Sequence, residues 1–393
     1  MKGNEKLTIW IGTKKGAFAL RSSGSRGGAF AMEGPHLLGQ EVYHVIQDPR
    51  NPESLLMATK TGHLGPTVMR SSDGGKAWTE AAKPPQFEKA PEGEKGLAVA
   101  RVFWLEPGHA SQPGTWWAGI DIKGPPNPGG AQGVPCNVAL FRSRDAGVNW
   151  EEAPGLRNYL TALPDAQEKL GFPPGGAMLH SIRVDPRDAK HLYISISSAG
   201  TFESRDEGAT WKPLNKGVAA TFYPDVPLEY GHDPHLLVIH PANPDRLYQQ
   251  NHCGMYRLDR GGDDTWVRIG DNMPRSVGDI GFPIVAHPRD ADTVWVFPMD
   301  GGTVWPRTSP DGKPAVYRTR DAGKTWERQD RGLPRDFAFW TVYRQAMTAD
   351  TQDPVGLYFG TTSGEIWASE SEGADWRVLA QHLPQVMSVT LAR

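Results

Sequence analysis

Twelve histidines are spread through the 393-residue chain, and their distances from proline sort them into groups. His180 and His235 each stand six residues before a proline, inside short apolar runs, and Arg101 and Phe282 share that offset. His44 stands five residues before its proline, and His252 closes another apolar run beside Cys253. Imidazoles ligate metals and titrate near neutrality. If His44, His180, His235 and His252 converge, they form a metal set suited to Zn²⁺, Fe²⁺ or Mn²⁺ with an open coordination position. Without a metal, His180 and His235 would serve as acid–base groups, assisted by Asp300 and Glu229. No HExxH or similar local motif is present. Spaced histidines that merely bond loop backbones are the competing reading.

A glycosidase needs two carboxylates flanking the scissile bond. Asp121, Asp225, Glu229, Asp233 and Asp300 fall in loops or at strand ends and are the candidates. Lys60, Arg101 and Arg344 are the candidate cations for an anionic substrate group. The reaction classes open to such a pocket are hydrolysis, elimination and metal-dependent oxidation. Cys253 reads as a buried strand thiol. His240 and His287 differ from the other histidines: they occupy His-Pro turns where other units carry Asp-Pro, which marks them as turn formers.

The elements that must hold these residues are short strands. The chain has 45 Gly, 34 Pro and 14 Trp. Gly and Pro at about one residue in five exclude a helical bundle, because both break helix interiors. One octet recurs, with Ser or Thr first, Asp third, Gly fifth and Trp eighth. Intact copies run Ser71–Trp78, Ser143–Trp150, Ser204–Trp211 and Thr319–Trp326. Eroded copies end at Trp266 and Trp376, the second with Ser371 in place of Asp. Upstream of the octets lies an apolar strand, an Asp-Pro or His-Pro turn, and a second apolar strand. Examples are Asp48-Pro49, Asp185-Pro186, His240-Pro241 and His287-Pro288, with Glu106-Pro107 a looser copy. Each unit therefore predicts four short strands, with a repeat of about 60 residues.

This pattern resembles the Asp-box, or BNR-repeat, β-propellers of the sialidase-like superfamily, over nearly the whole chain. The resemblance implies an all-β fold: a single seven-bladed propeller across residues 1–393, with six or eight blades as alternatives. The seventh blade is expected from both ends, with Leu7–Thr13 and Gly16–Arg21 joined by Val386–Ala392. Such families include glycosyl hydrolase-like enzymes, and also non-catalytic receptors and assembly factors that bind peptides. True sialidases carry an arginine triad, an F/Y-R-I-P segment and a Tyr–Glu pair. The segment is absent near the first blade and the triad cannot be assigned, which argues against that activity.

Two functions compete on this scaffold. One is an enzyme acting on a small or carbohydrate-like ligand. The other is a protein-binding scaffold using Phe222-Tyr223-Pro224 and Phe337-Ala338-Phe339-Trp340. The net charge of −3 gives no general attraction to nucleic acid or anionic membrane. No apolar run approaches a membrane span, and no signal-peptide core is visible, so the expectation is a cytoplasmic protein. A short helix is expected at 165–170.

Overall fold

The computed structural model describes residues 7–24, 26–94, 96–123, 137–163, 178–220, 229–300 and 307–392. Their strands form seven four-stranded antiparallel sheets, a seven-bladed β-propeller. In chain order, the first blade contains Glu41–Asp48, Asn51–Thr61, Gly65–Ser71 and Thr79–Glu80. The second contains Ala98–Pro107, Trp116–Lys123, Val138–Ser143 and Glu151–Glu152, and the third Leu179–Val184, Leu192–Ile196, Gly200–Ser204 and Lys212–Pro213. Pro234–His240, Asn243–Asn251, Gly254–Asp259 and Val267–Arg268 form the fourth. Gly281–Ala286, Val294–Pro298, Val316–Thr319 and Glu327–Gln329 make the fifth; Met347–Ala349, Leu357–Gly360, Ile366–Ser369 and Arg377–Ala380 make the sixth. The seventh joins both ends of the chain, as expected. Val386–Ala392 pairs with Thr8–Thr13, which continues into Gly16–Ser22 and Phe30–His36.

By compactness the chain divides into residues 46–234 and residues 1–45 with 235–393. In the second of these, the core is aromatic: Trp340 packs 5.4 Å from Trp367, and Phe359 lies 5.0 Å from Trp376 and 5.3 Å from Phe297, centroid to centroid. Strand alternation aims Phe297, Phe359 and Trp367 into this core, Trp340 and Trp376 join it from outside the strands, and large buried rings dominate the apolar area removed from water.

The octets are hairpin turns held by their own side chains. The opening hydroxyl accepts the amide of the glycine four residues on: Ser71 from Gly75 at 2.8 Å, Ser143 from Gly147 at 2.9 Å, Ser204 from Gly208 at 2.8 Å, Thr319 from Gly323 at 2.8 Å. The aspartate then accepts the amide four residues beyond itself, as Asp145 does from Asn149 at 2.9 Å. Ser371, in the eroded copy, does the same from Asp375 at 3.1 Å, so a hydroxyl can replace the carboxylate. Each of Trp78, Trp150 and Trp211 donates its indole N–H back to the octet glycine carbonyl at 3.0 Å.

The Asp-Pro turns work similarly. Asp48 and Asp185 each accept the amide two residues on at 2.9 Å. His240 Nδ1 accepts from Ala242 at 3.1 Å, and His287 Nδ1 from Arg289 at 3.0 Å. Both histidines are turn formers, as their sequence position indicated.

One helix lies in a blade connection. It occupies Gly155–Ala162, with Leu156 and Leu160 buried one turn apart. The expected helix at 165–170 falls outside the described residues, as do Phe222-Tyr223-Pro224 and Asp225.

Candidate functional site

The fourth blade carries the densest chemistry. Asp233 and His235 flank Pro234 at the start of its first strand. Residues two apart in an extended chain point to the same side. His252 sits on the hairpin between Asn243–Asn251 and Gly254–Asp259. That hairpin is fixed by Asn251, whose Oδ1 accepts the Cys253 amide at 2.9 Å, and by Gly254 at φ +128°. The result brings Asp233, His235 and His252 together, with one donor atom from each within 4.8 Å of the others. His235 is buried; Asp233 and His252 are half-buried. Its rings confirm the pairing: His235 and His252 meet edge to face at 5.7 Å.

Two histidines share one hydrogen-bond pattern. His235 Nδ1 donates to the Gly281 carbonyl at 2.6 Å, the first residue of the fifth blade. His180 Nδ1 donates to the Pro234 carbonyl at 2.7 Å, the first residue of the fourth. A carbonyl accepts only, so Nδ1 carries the proton and Nε2 carries the lone pair in the neutral ring. Their common offset from proline thus reflects a common strand-to-strand bond.

Positive charge stands close by. Arg307 Nη2 lies 3.2 Å from His252 Nε2. The Phe282 ring packs 4.8 Å from His235, and the buried Arg344 guanidinium lies over the same ring, 4.8 Å from its centroid. Asp300, half-buried, pairs with Thr308 through a backbone bond of 2.7 Å at the entrance to the Arg307 segment.

The remaining sequence candidates sit differently. His44 is buried within the Glu41–Asp48 strand, outside the three-residue set. His180 is buried against Phe103 at 5.8 Å and is also outside it. Arg101 is bound to Asp121 through Nε at 2.7 Å, so its charge is already matched. Lys60 is half-buried at the end of Asn51–Thr61, opposite Pro66. Glu229 is exposed, and its carbonyl accepts from Asn215 at 3.0 Å. Cys253 is buried, as read from sequence. Asp233 was legible as a carboxylate, not as the partner of His235, although the two-residue spacing contained that information. Arg307 had no sequence signal, since it reaches His252 across 55 residues.

No family model and no curated protein matches the chain. Solved structures do. A GH74 xyloglucanase from Xanthomonas campestris is similar at TM-score 0.64 and 16% identity, over 96% of this chain and 53% of that one. A GH74 enzyme from Niastella koreensis is similar at TM-score 0.55 and 16% identity, over 95% of this chain and 55% of that one. A puromycin hydrolase is similar at TM-score 0.51 and 11% identity, over 97% and 54%. The chain thus spans about half the length of each. These likenesses place the fold among propellers that include glycoside hydrolases, and a fold hosts several chemistries.

Proposed function

We propose that the chain is a propeller enzyme whose working centre is the Asp233, His235 and His252 set, acting on a small, anionic, carbohydrate-like substrate. The observation that carries this reading is the approach of two imidazoles and a carboxylate within 4.8 Å, with His235 buried and His252 beside Arg307. Imidazole and carboxylate so close can exchange protons with a bound substrate. Arg307 and Arg344 supply the positive charge for its anionic group. The octet hairpins support grouping the chain with Asp-box propellers of the sialidase-like kind, with residues 1–393 as one domain. The GH74 likeness in fold supports a glycosidic substrate. Of the other candidates, Asp300 stays closest in sequence to the Arg307 segment, whereas exposed Glu229 and the matched Arg101 contribute less.

The test is hydrolysis of a panel of p-nitrophenyl glycosides, glycuronides and phosphate. Turnover of a charged member should fall at least about 100-fold in His235→Ala. Arg344→Ala should raise KM more than it lowers kcat. Turnover untouched by His235→Ala and Asp233→Asn would sink the assignment.

A second reading, a protein-binding scaffold, is favoured by the loop at Phe337. Phe337 is 91% exposed and Phe339 57% exposed, an unusual presentation of large rings. No turnover across the panel, together with a stoichiometric partner lost in Phe337→Ser, would favour it over the enzyme.

A further inference from the structure

We infer that Asp233, His235 and His252 form a two-histidine, one-carboxylate site for a divalent first-row transition metal, with His180 as a positioning residue. The inference deepens the proposed function and rests on the same centre. Its donor set is the first argument. Two imidazoles and one carboxylate suit Zn²⁺, Fe²⁺ or Mn²⁺ and leave positions open for water or substrate. Donors of a formed site stand roughly 3–3.5 Å apart, given metal–ligand bonds of about 2.0–2.2 Å. The present 4.8 Å limit therefore asks for side-chain closure of about an ångström or so.

The second argument is the layer behind the donors. Metal-bound histidines typically donate their other N–H to a backbone carbonyl or carboxylate, which fixes tautomer and ring direction. His235 does this through Nδ1 to the Gly281 carbonyl at 2.6 Å. His180 donates to the Pro234 carbonyl at 2.7 Å, and Pro234 is the residue between the two ligands Asp233 and His235. His180 thus sets the peptide that aims both donors. The Asn251 turn holds the third ligand, His252.

Arg307 gives the inference its sharpest consequence. Its guanidinium lies 3.2 Å from His252 Nε2, so it competes as a cation for the same imidazole. Metal entry either displaces it or uses the other ring nitrogen. Removing that cation should tighten metal binding, whereas a purely structural contact would not have this effect.

The experiment is calorimetric titration of chelator-stripped, tag-free protein with Zn²⁺, Mn²⁺ and, under anaerobic conditions, Fe²⁺. Co²⁺ serves as a spectroscopic probe. One metal per chain is expected for at least one ion, with a Co²⁺ visible spectrum of mixed nitrogen and oxygen ligation. Asp233→Asn, which keeps the side-chain shape, should weaken binding at least about 100-fold, and His252→Ala likewise. His180→Ala should weaken it about 10-fold, with partial rescue in His180→Asn, which can still donate to Pro234. Arg307→Gln should strengthen it. The exposed His63→Ala serves as a control and should change nothing. Absence of stoichiometric binding, or binding indifferent to Asp233→Asn and His252→Ala, overturns the inference. Metal bound without turnover would defeat the enzyme reading and leave the site standing. Turnover retained in chelated protein that binds no metal stoichiometrically would overturn the site and leave the enzyme reading standing.

Discussion

His240 and His287 perform a task that Asp48 and Asp185 perform in other blades: one acceptor atom takes the amide two residues on. The exchange carries a pH dependence. Nδ1 accepts only when unprotonated, and His240 Nε2 meanwhile faces the Asp290 carbonyl at 2.9 Å as donor. Burial, the leading cause, pushes both histidines below their ordinary value of 6.5. A histidine with a depressed folded pKa binds protons more readily when unfolded. Its stability contribution is full above about pH 6.5 and is lost as pH falls toward the folded value. Thermal midpoints should drop between about pH 7 and 5, and the drop should be smaller in His240→Asp. An equal drop in that variant would assign the effect to other groups. Position alone identified these two residues. Position also set them apart from His180, but it could not show what His180 bonds, since that partner is the Pro234 carbonyl 54 residues away.

At the scale of the element, the octet is a self-contained turn, which is why it was readable. In the Ser143–Trp150 copy hydroxyl, carboxylate, glycine and indole all bond within eight residues, so spacing alone specifies them; Trp326 keeps the spacing but donates its indole N–H to the Ile269 carbonyl instead. Asp145 illustrates the local electrostatics: burial works against its charge, yet the Asn149 amide and side chain hold its carboxyl below the usual value. Ser143→Ala should cost about 1–2 kcal/mol, because the buried Gly147 amide loses its acceptor. Chemical denaturation of that variant gives the number; a change within experimental error would mean the sheet alone holds the hairpin. The helix at Gly155–Ala162 was less legible. Its two buried leucines are too few to announce a helical period in a loop rich in proline.

Across the molecule, the termini are bound into one blade by Val386–Ala392 against Thr8–Thr13. A second tie joins the ends: buried Arg26 meets buried Asp350 at 2.7 Å, 324 residues away, and reaches the Pro354 carbonyl. Asp350 also accepts the Gln352 and Gly356 amides, at 3.0 and 2.8 Å. Asp350→Ala should destabilise by about 3–5 kcal/mol, since it strands a buried guanidinium. Adding Arg26→Met should recover part of that loss. If the double variant is no more stable than the single one in denaturant unfolding, the cost lies in the turn amides rather than in the charge.

What the amino-acid sequence determined by itself was the all-β repeat and the turn chemistry. These rest on contacts within eight residues or on strand periodicity, which recur often enough to be recognised; the closure of the ring by both ends was an expectation that the family resemblance implied. The tertiary structure decided which of the twelve histidines meet. Asp233 and His235 share a side because an extended chain alternates, but His252 joins them only through a hairpin. Arg307 comes only through a distant segment. Convergence of that kind depends on how strands are laid side by side, and no local spacing encodes it.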